Sequence, residues 1–178
     1  MKKVNCLLAS ATLALAGAGM MNSAVAADGT ITFTGRITSQ TCTINDGRPD
    51  FSVLLPTVSV QTLNASGTTA GRTPFRINLT NCDEDLEEVA VYFEPGANTS
   101  LYDNRLINTG TATNVELQLL NDNLAPLKLS EGVDAQGVKF IPVKNRAATL
   151  TYFAEYYAVG STGAGTVESS TQYTVVYP

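Results

Sequence analysis

A two-residue period is the feature that most limits what this 178-residue chain folds into. Run after run alternates apolar and polar side chains, and Gly, Pro or Asn separates one run from the next. Such alternation places the apolar side chains of a run on one face of a strand. In "PFRINLTNC" Phe75, Ile77 and Leu79 share one face and Arg76, Asn78 and Thr80 the other. "EVAVYFEPG" (88–96) repeats the pattern with Val89, Val91 and Phe93, and "NVELQLL" (114–120) with Val115, Leu117 and Leu119. "ATLTYFAEYYAVG" (148–160) puts Leu150, Tyr152, Ala154 and Tyr156 together, and the last run, "TQYTVVYP", alternates Tyr173, Val175 and Tyr177.

The weaker runs fill in the rest. Residues 29–44 read as an opening strand, with Gly29, Ile31, Phe33, Gly35 and Ile37 on one face. "NDGRPD" (45–50) is a turn, "FSVLLPTVSV" (51–60) holds short extended pieces broken by Pro56, and 62–71 is a small, polar loop. "APLKL" and "VKFIPV" are short pieces, and "GSTGAGT" is a flexible turn. Helical periodicity is scarce. "EDLEEVAVYF" is compatible with helix in its first half, but its β-branched second half argues for strand. Many short strands between turn residues predict a single all-β domain of sandwich type. The chain has no tryptophan, so the buried tryptophan of antibody domains is missing.

Residues 1–26 read as a secretory signal peptide: Lys2 and Lys3, a mostly apolar stretch, then Ala24-Val25-Ala26. Its removal takes away Cys6 and two lysines, so a chain of net charge −5 becomes more acidic still. That balance, without basic clusters, argues against nucleic acid as a partner. Cys42 and Cys82 remain. In a secreted chain they are expected to form one disulfide, stabilising by about 4 kcal/mol on the chain-entropy estimate.

The chain contains no histidine, which rules out a Ser-His-Asp or Cys-His pair and a histidine metal site. The acidic run Asp83, Glu84, Asp85, Glu87, Glu88 lacks the glycine of a calcium loop and reads as a solvated loop. "GSTGAG" (160–165) lacks the lysine and strand-to-helix setting of a phosphate cradle. No catalytic residue, metal or cofactor is expected.

Several segments together resemble the pilin subunits of chaperone–usher fimbriae. They are "ADGTITFTGRITSQTC" (27–42), "AGRTPFRINLTNC" (70–82), "VYFEPG" (91–96), "NVELQLL" and the terminal "YTVVYP". Gly165 stands fourteenth from the end and Tyr177 is penultimate, as in that family. "AGRTPF" and "YFEPG" look most like the major, rod-forming subunits of serotype fimbriae. The resemblance implies an incomplete immunoglobulin-like β-sandwich that lacks its last strand and is completed by a donor strand. It divides the chain into the signal peptide, a donor-strand extension over 27–41 and a pilin domain over 42–178.

It further implies a subunit exported through the periplasm to the extracellular fimbrium, polymerising with copies of itself or related subunits and supporting cell adhesion. The expected partners are a periplasmic chaperone, an outer-membrane usher and a host receptor whose identity the sequence does not reveal. The donor strand would present Gly29, Ile31, Phe33, Gly35 and Ile37 to a neighbour. Ten extended residues span about 34 Å, and each large apolar side chain contributes about 1.5–3 kcal/mol when buried. Gly35 suits a groove too shallow for a side chain. The C-terminal strand with Gly165, Tyr173, Val175, Tyr177 and Pro178 would border the groove and meet the chaperone. The family's disulfide joins its first and second strands, matching Cys42 and Cys82. Two rivals remain: a minor adaptor or tip subunit of the same fimbria, and a secreted carbohydrate-binding sandwich using Tyr152, Tyr156 and Tyr157.

Overall fold

A computed structural model describes residues 29–35, 37 and 41–178. The signal peptide and residues 27, 28, 36 and 38–40 of the extension lie outside the described residues. The chain divides into two units, one ending at Ile37 and one running from Thr38 to Pro178.

In the first unit the described residues form no strand, and Ile31, Phe33 and Ile37 are exposed. Among the described residues, the opening strand expected over 29–44 is reduced to Thr43–Ile44. Alternation assigns side chains to two faces, but a strand also needs a second backbone to bond its N–H and C=O groups. The sequence pattern supplies only the first requirement.

The second unit is a two-sheet sandwich. Its strands are β1 (Thr43–Ile44), β2 (Thr69–Thr80), β3 (Glu88–Glu94), β4 (Leu106–Ile107), β5 (Thr113–Leu120), β6 (Ile141–Pro142), β7 (Ala148–Gly163) and β8 (Gln172–Val176). Short 3-10 turns occupy Asn45–Gly47 and Val60–Leu63. One sheet has the order β1-β2-β7-β5-β4 and the other β6-β3-β8, all pairs antiparallel.

The strong alternations land where the pattern puts them. Ile77 and Leu79 are buried while Arg76 and Asn78 face solvent, and Leu150, Tyr152 and Ala154 are buried along β7. β2 starts earlier than the alternation suggests, inside the polar 62–71 stretch. A bulge between Ala70 and Thr73 makes this possible, and Gly71 takes φ +69° there. A side chain at Gly71 would strike the Tyr156 ring at 2.9 Å, so both backbone and space call for glycine. "FSVLLPTVSV" forms no strand, "APLKL" contributes only an isolated bridge at Pro126, and Leu106–Ile107 pairs without any sequence alternation to announce it.

The core packs Ile77, Leu79, Val89, Val91, Phe93, Leu117, Leu119 and Leu150 between the sheets. Cys42 and Cys82 are disulfide-bonded and tie the start of the unit to the end of β2. Reduction is expected to lower stability by about 4 kcal/mol, and a melting curve unchanged by reductant contradicts that.

Tyr152, at the core centre, has its phenol pushed up to about 12, chiefly by burial, with the Val91 backbone pulling the other way. In the unfolded chain the same phenol ionises near 10. Between about pH 10 and 12 the unfolded state therefore holds fewer protons, and stability falls as pH rises through that window. The loss is expected to approach about 2 kcal/mol, and Tyr152→Phe to blunt it in alkaline denaturation.

Candidate functional site

The C-terminal strand β8 pairs with β3 on one side, from Ala90↔Val176 to Glu94↔Gln172, and forms the end of its sheet. A groove of about 770 Å³ opens beside it. Its floor is the core itself: Phe75, Ile77, Phe93, Leu106, Leu117 and Leu119. Its two rims are residues 49–55 and 167–173, neither of which pairs with the other as strand. A sandwich whose interior is open along an edge strand lacks one strand there.

The first rim explains the unassigned run after the Asn45–Gly47 turn. Phe51, Val53 and Leu55 alternate into the groove, while Leu54 is 91% exposed. These residues have strand periodicity without a ladder. The alternation of Phe51, Val53 and Leu55 was the signal available for this rim, and Pro56 obscured it.

The second rim is pinned from behind by residues 108–112. Thr109 N donates to Glu168 O at 2.8 Å and Ala112 N to Thr166 O at 2.9 Å. Glu168 N donates to Asn108 Oδ1 at 2.9 Å, and Thr166 N to Thr111 Oγ1 at 2.9 Å. Gly165 is where these segments touch. A Cβ on it would collide with the Thr111–Ala112 backbone. Glycine is therefore required by close approach of two backbones.

The other C-terminal candidates face inward. Tyr173, Val175 and Tyr177 are half-buried and pack on the core, whereas Pro178 is exposed. Tyr173 lines the groove, and its hydroxyl donates to Pro49 O at 2.6 Å, joining the two rims at one end. Phe51 sits 6.2 Å from both Phe75 and Tyr173, and the rings continue through Phe93 to Tyr152. Burial raises the Tyr173 phenol above its usual range, and the nearby Asp50 carboxylate adds to this. Tyr177 is raised by burial as well, offset in part by the Cys42 backbone. At neutral pH the phenols near the groove are therefore neutral hydrogen-bond donors.

Gly29, Ile31, Phe33, Gly35 and Ile37 belong to the other unit, and the groove is built wholly from the second. Of the three tyrosines considered as a sugar platform, Tyr152 is buried in the core. Tyr156 packs on it, and the ring of Tyr157 is covered by the Arg105 guanidinium at 3.8 Å. They form no shared exposed surface.

An immunoglobulin-like sandwich opened along its C-terminal edge strand is the architecture of a pilus subunit. The type-1 fimbrial protein A family model matches residues 55–178. The chain is 47% identical over 163 residues to the major fimbrial subunit SMF-1 of Stenotrophomonas maltophilia, covering 87% of this chain and 95% of that one. It is 39% identical over 172 residues to the F17 fimbrial protein of Escherichia coli, covering 93% and 96%. Among solved structures, a subunit of a chaperone–usher pilus rod superposes with a TM-score of 0.62 at 19% identity, covering 85% of this chain and 96% of that one. A Burkholderia pseudomallei antigen and type I fimbria protein superposes at 0.54 with 26% identity, covering 84% and 97%.

The chain belongs to the type-1 fimbrial protein family. It is a structural subunit of a fimbria, exported by way of the periplasm to the extracellular fibre. Neither the adaptor nor the free carbohydrate-binding reading is favoured by these relationships.

Proposed function

We propose that the subunit polymerises head to tail by donor-strand exchange, without catalysis or cofactor. Residues 27–41 of one subunit enter the groove of the next, with Ile31, Phe33 and Ile37 directed at its floor and Gly35 at a shallow point. Before that, a periplasmic chaperone occupies the groove, reading the edge of β8. Exchange of one strand for the other takes place at an outer-membrane usher.

The observation that carries this reading is the groove of about 770 Å³ that opens the core, beside an edge strand, between two rims that do not pair with each other. An added strand there buries apolar side chains and bonds a free backbone edge in one step. The exposed Ile31, Phe33 and Ile37 are side chains of the right kind for such a floor. Deleting residues 27–40 in cells that also make the chaperone is expected to abolish fibres while leaving a folded, soluble periplasmic subunit. Fibres of normal yield from the deletion contradict the reading.

A further inference from the structure

We propose that Gln136 makes strand addition to this subunit one-sided, a role that rests on the donor-strand reading above. β3 is the central strand of its sheet. β8 covers one side of it along Ala90–Glu94, but β6 covers the other side only at Glu88 and Val89. From Val91 to Glu94 that second side has no neighbouring strand among the described residues. An uncovered edge pairs with any extended segment that reaches it. A subunit that encounters donor strands as its normal business would have two acceptor edges instead of one.

The side chain of Gln136 occupies that second edge. Its Oε1 accepts from Phe93 N at 2.9 Å, and its Nε2 donates to Phe93 O at 2.8 Å. One carboxamide thus reproduces both bonds that a paired strand residue would make. Gln136 is fully buried, at 0% exposure. An apolar residue of similar volume would fill the space equally well but leave both Phe93 groups unpaired, so packing alone does not account for glutamine.

The connection from β5 to β6 holds the side chain in place. Leu127 and Leu129 anchor this strap in the core, and Lys128 N donates to Gln136 O at 2.9 Å. The strap closes further over β3 where the Tyr92 hydroxyl donates to Glu131 O at 3.3 Å. Lower on the same edge, Glu87 O accepts from Val143 N at 2.8 Å. The Glu87 carbonyl and both Phe93 groups are therefore taken on this side of β3, while the outer side of β8 stays open along the groove.

The test uses the full mature chain refolded with excess isotope-labelled peptide of residues 27–40. Native mass spectrometry counts the peptides, and electron microscopy shows fibre shape. The wild type is expected to take up one strand and form linear fibres. Gln136→Leu is expected to take up nearly twice as much peptide and to give branched or laterally fused fibres. A folded Gln136→Leu protein with single uptake and linear fibres overturns the proposal and leaves donor-strand exchange standing. No uptake by either protein overturns donor-strand exchange and this role with it. If Gln136→Leu does not fold, hydrogen exchange on the wild type decides: the Phe93 amide is expected to exchange at least about 100-fold more slowly than an open surface amide. Exchange at the surface rate refutes the plug.

Discussion

Gly35→Val is expected to cut fibre yield by about tenfold or more while leaving each subunit folded and able to bind its chaperone. Apart from its two chain neighbours, a Cβ at Gly35 meets nothing within 4 Å, so the substitution does not disturb the subunit that carries it. The penalty falls only where the strand lies in a neighbour's groove. Forcing an isopropyl group against a packed floor costs about 1–3 kcal/mol, which corresponds to about 5- to 150-fold in occupancy of the inserted state. Every junction of the fibre incurs that penalty. Sheared fibres quantified by gel, with fibre counts from electron micrographs, read the effect. Normal fibres from the variant would remove Gly35 from the mechanism.

The second large effect is on the groove wall. Gly165→Ala is expected to destabilise the subunit by about 1–3 kcal/mol and to lower its melting temperature by about 3–12 °C. The added methyl would sit 2.6 Å from the Thr111 carbonyl carbon and 2.7 Å from Ala112 Cα. Both are backbone atoms, which do not rotate away as a side chain would. Separation of the segments strains the Thr109–Glu168 and Ala112–Thr166 bonds that fix the wall. Gly132→Ala is the control, because an added Cβ there has nothing within 4 Å. A thermal melt of the two variants separates close approach from a general intolerance of glycine replacement. Equal melting temperatures would show that the wall yields more easily than its contacts imply.

The parts of this fold that were legible in the sequence are those where burial and ladder coincide. Phe75–Leu79, Val89–Phe93 and Leu150–Ala154 alternate because one face meets the opposite sheet, and each became a strand. Where the two requirements separate, the pattern misleads. Ile31, Phe33 and Ile37 alternate as well as any strand in the chain, yet the described residues there form no ladder. Phe51, Val53 and Leu55 have the same periodicity along a rim without a partner. A strand completed by another molecule leaves the side-chain signature in one chain and half of the hydrogen bonds in another.

Parts of the site were not legible at all. Leu106 enters the groove floor from a two-residue strand too short to show a period. Gln136 lies in a stretch without apolar alternation, and its burial shows only in the fold, where it meets Phe93. The tightness around Gly165 comes from Thr111 and Ala112, more than fifty residues earlier, a proximity that local sequence does not encode.

The most direct test of the account uses a chain lacking residues 27–40, purified with its chaperone or refolded, to which a synthetic peptide of those residues is added. Thermal unfolding follows the complex. The account predicts a large rise in melting temperature, weakened when the peptide carries Gly35→Val. A truncated chain that is already stable and gains nothing from the peptide would contradict it, because the sandwich would then have no strand to receive.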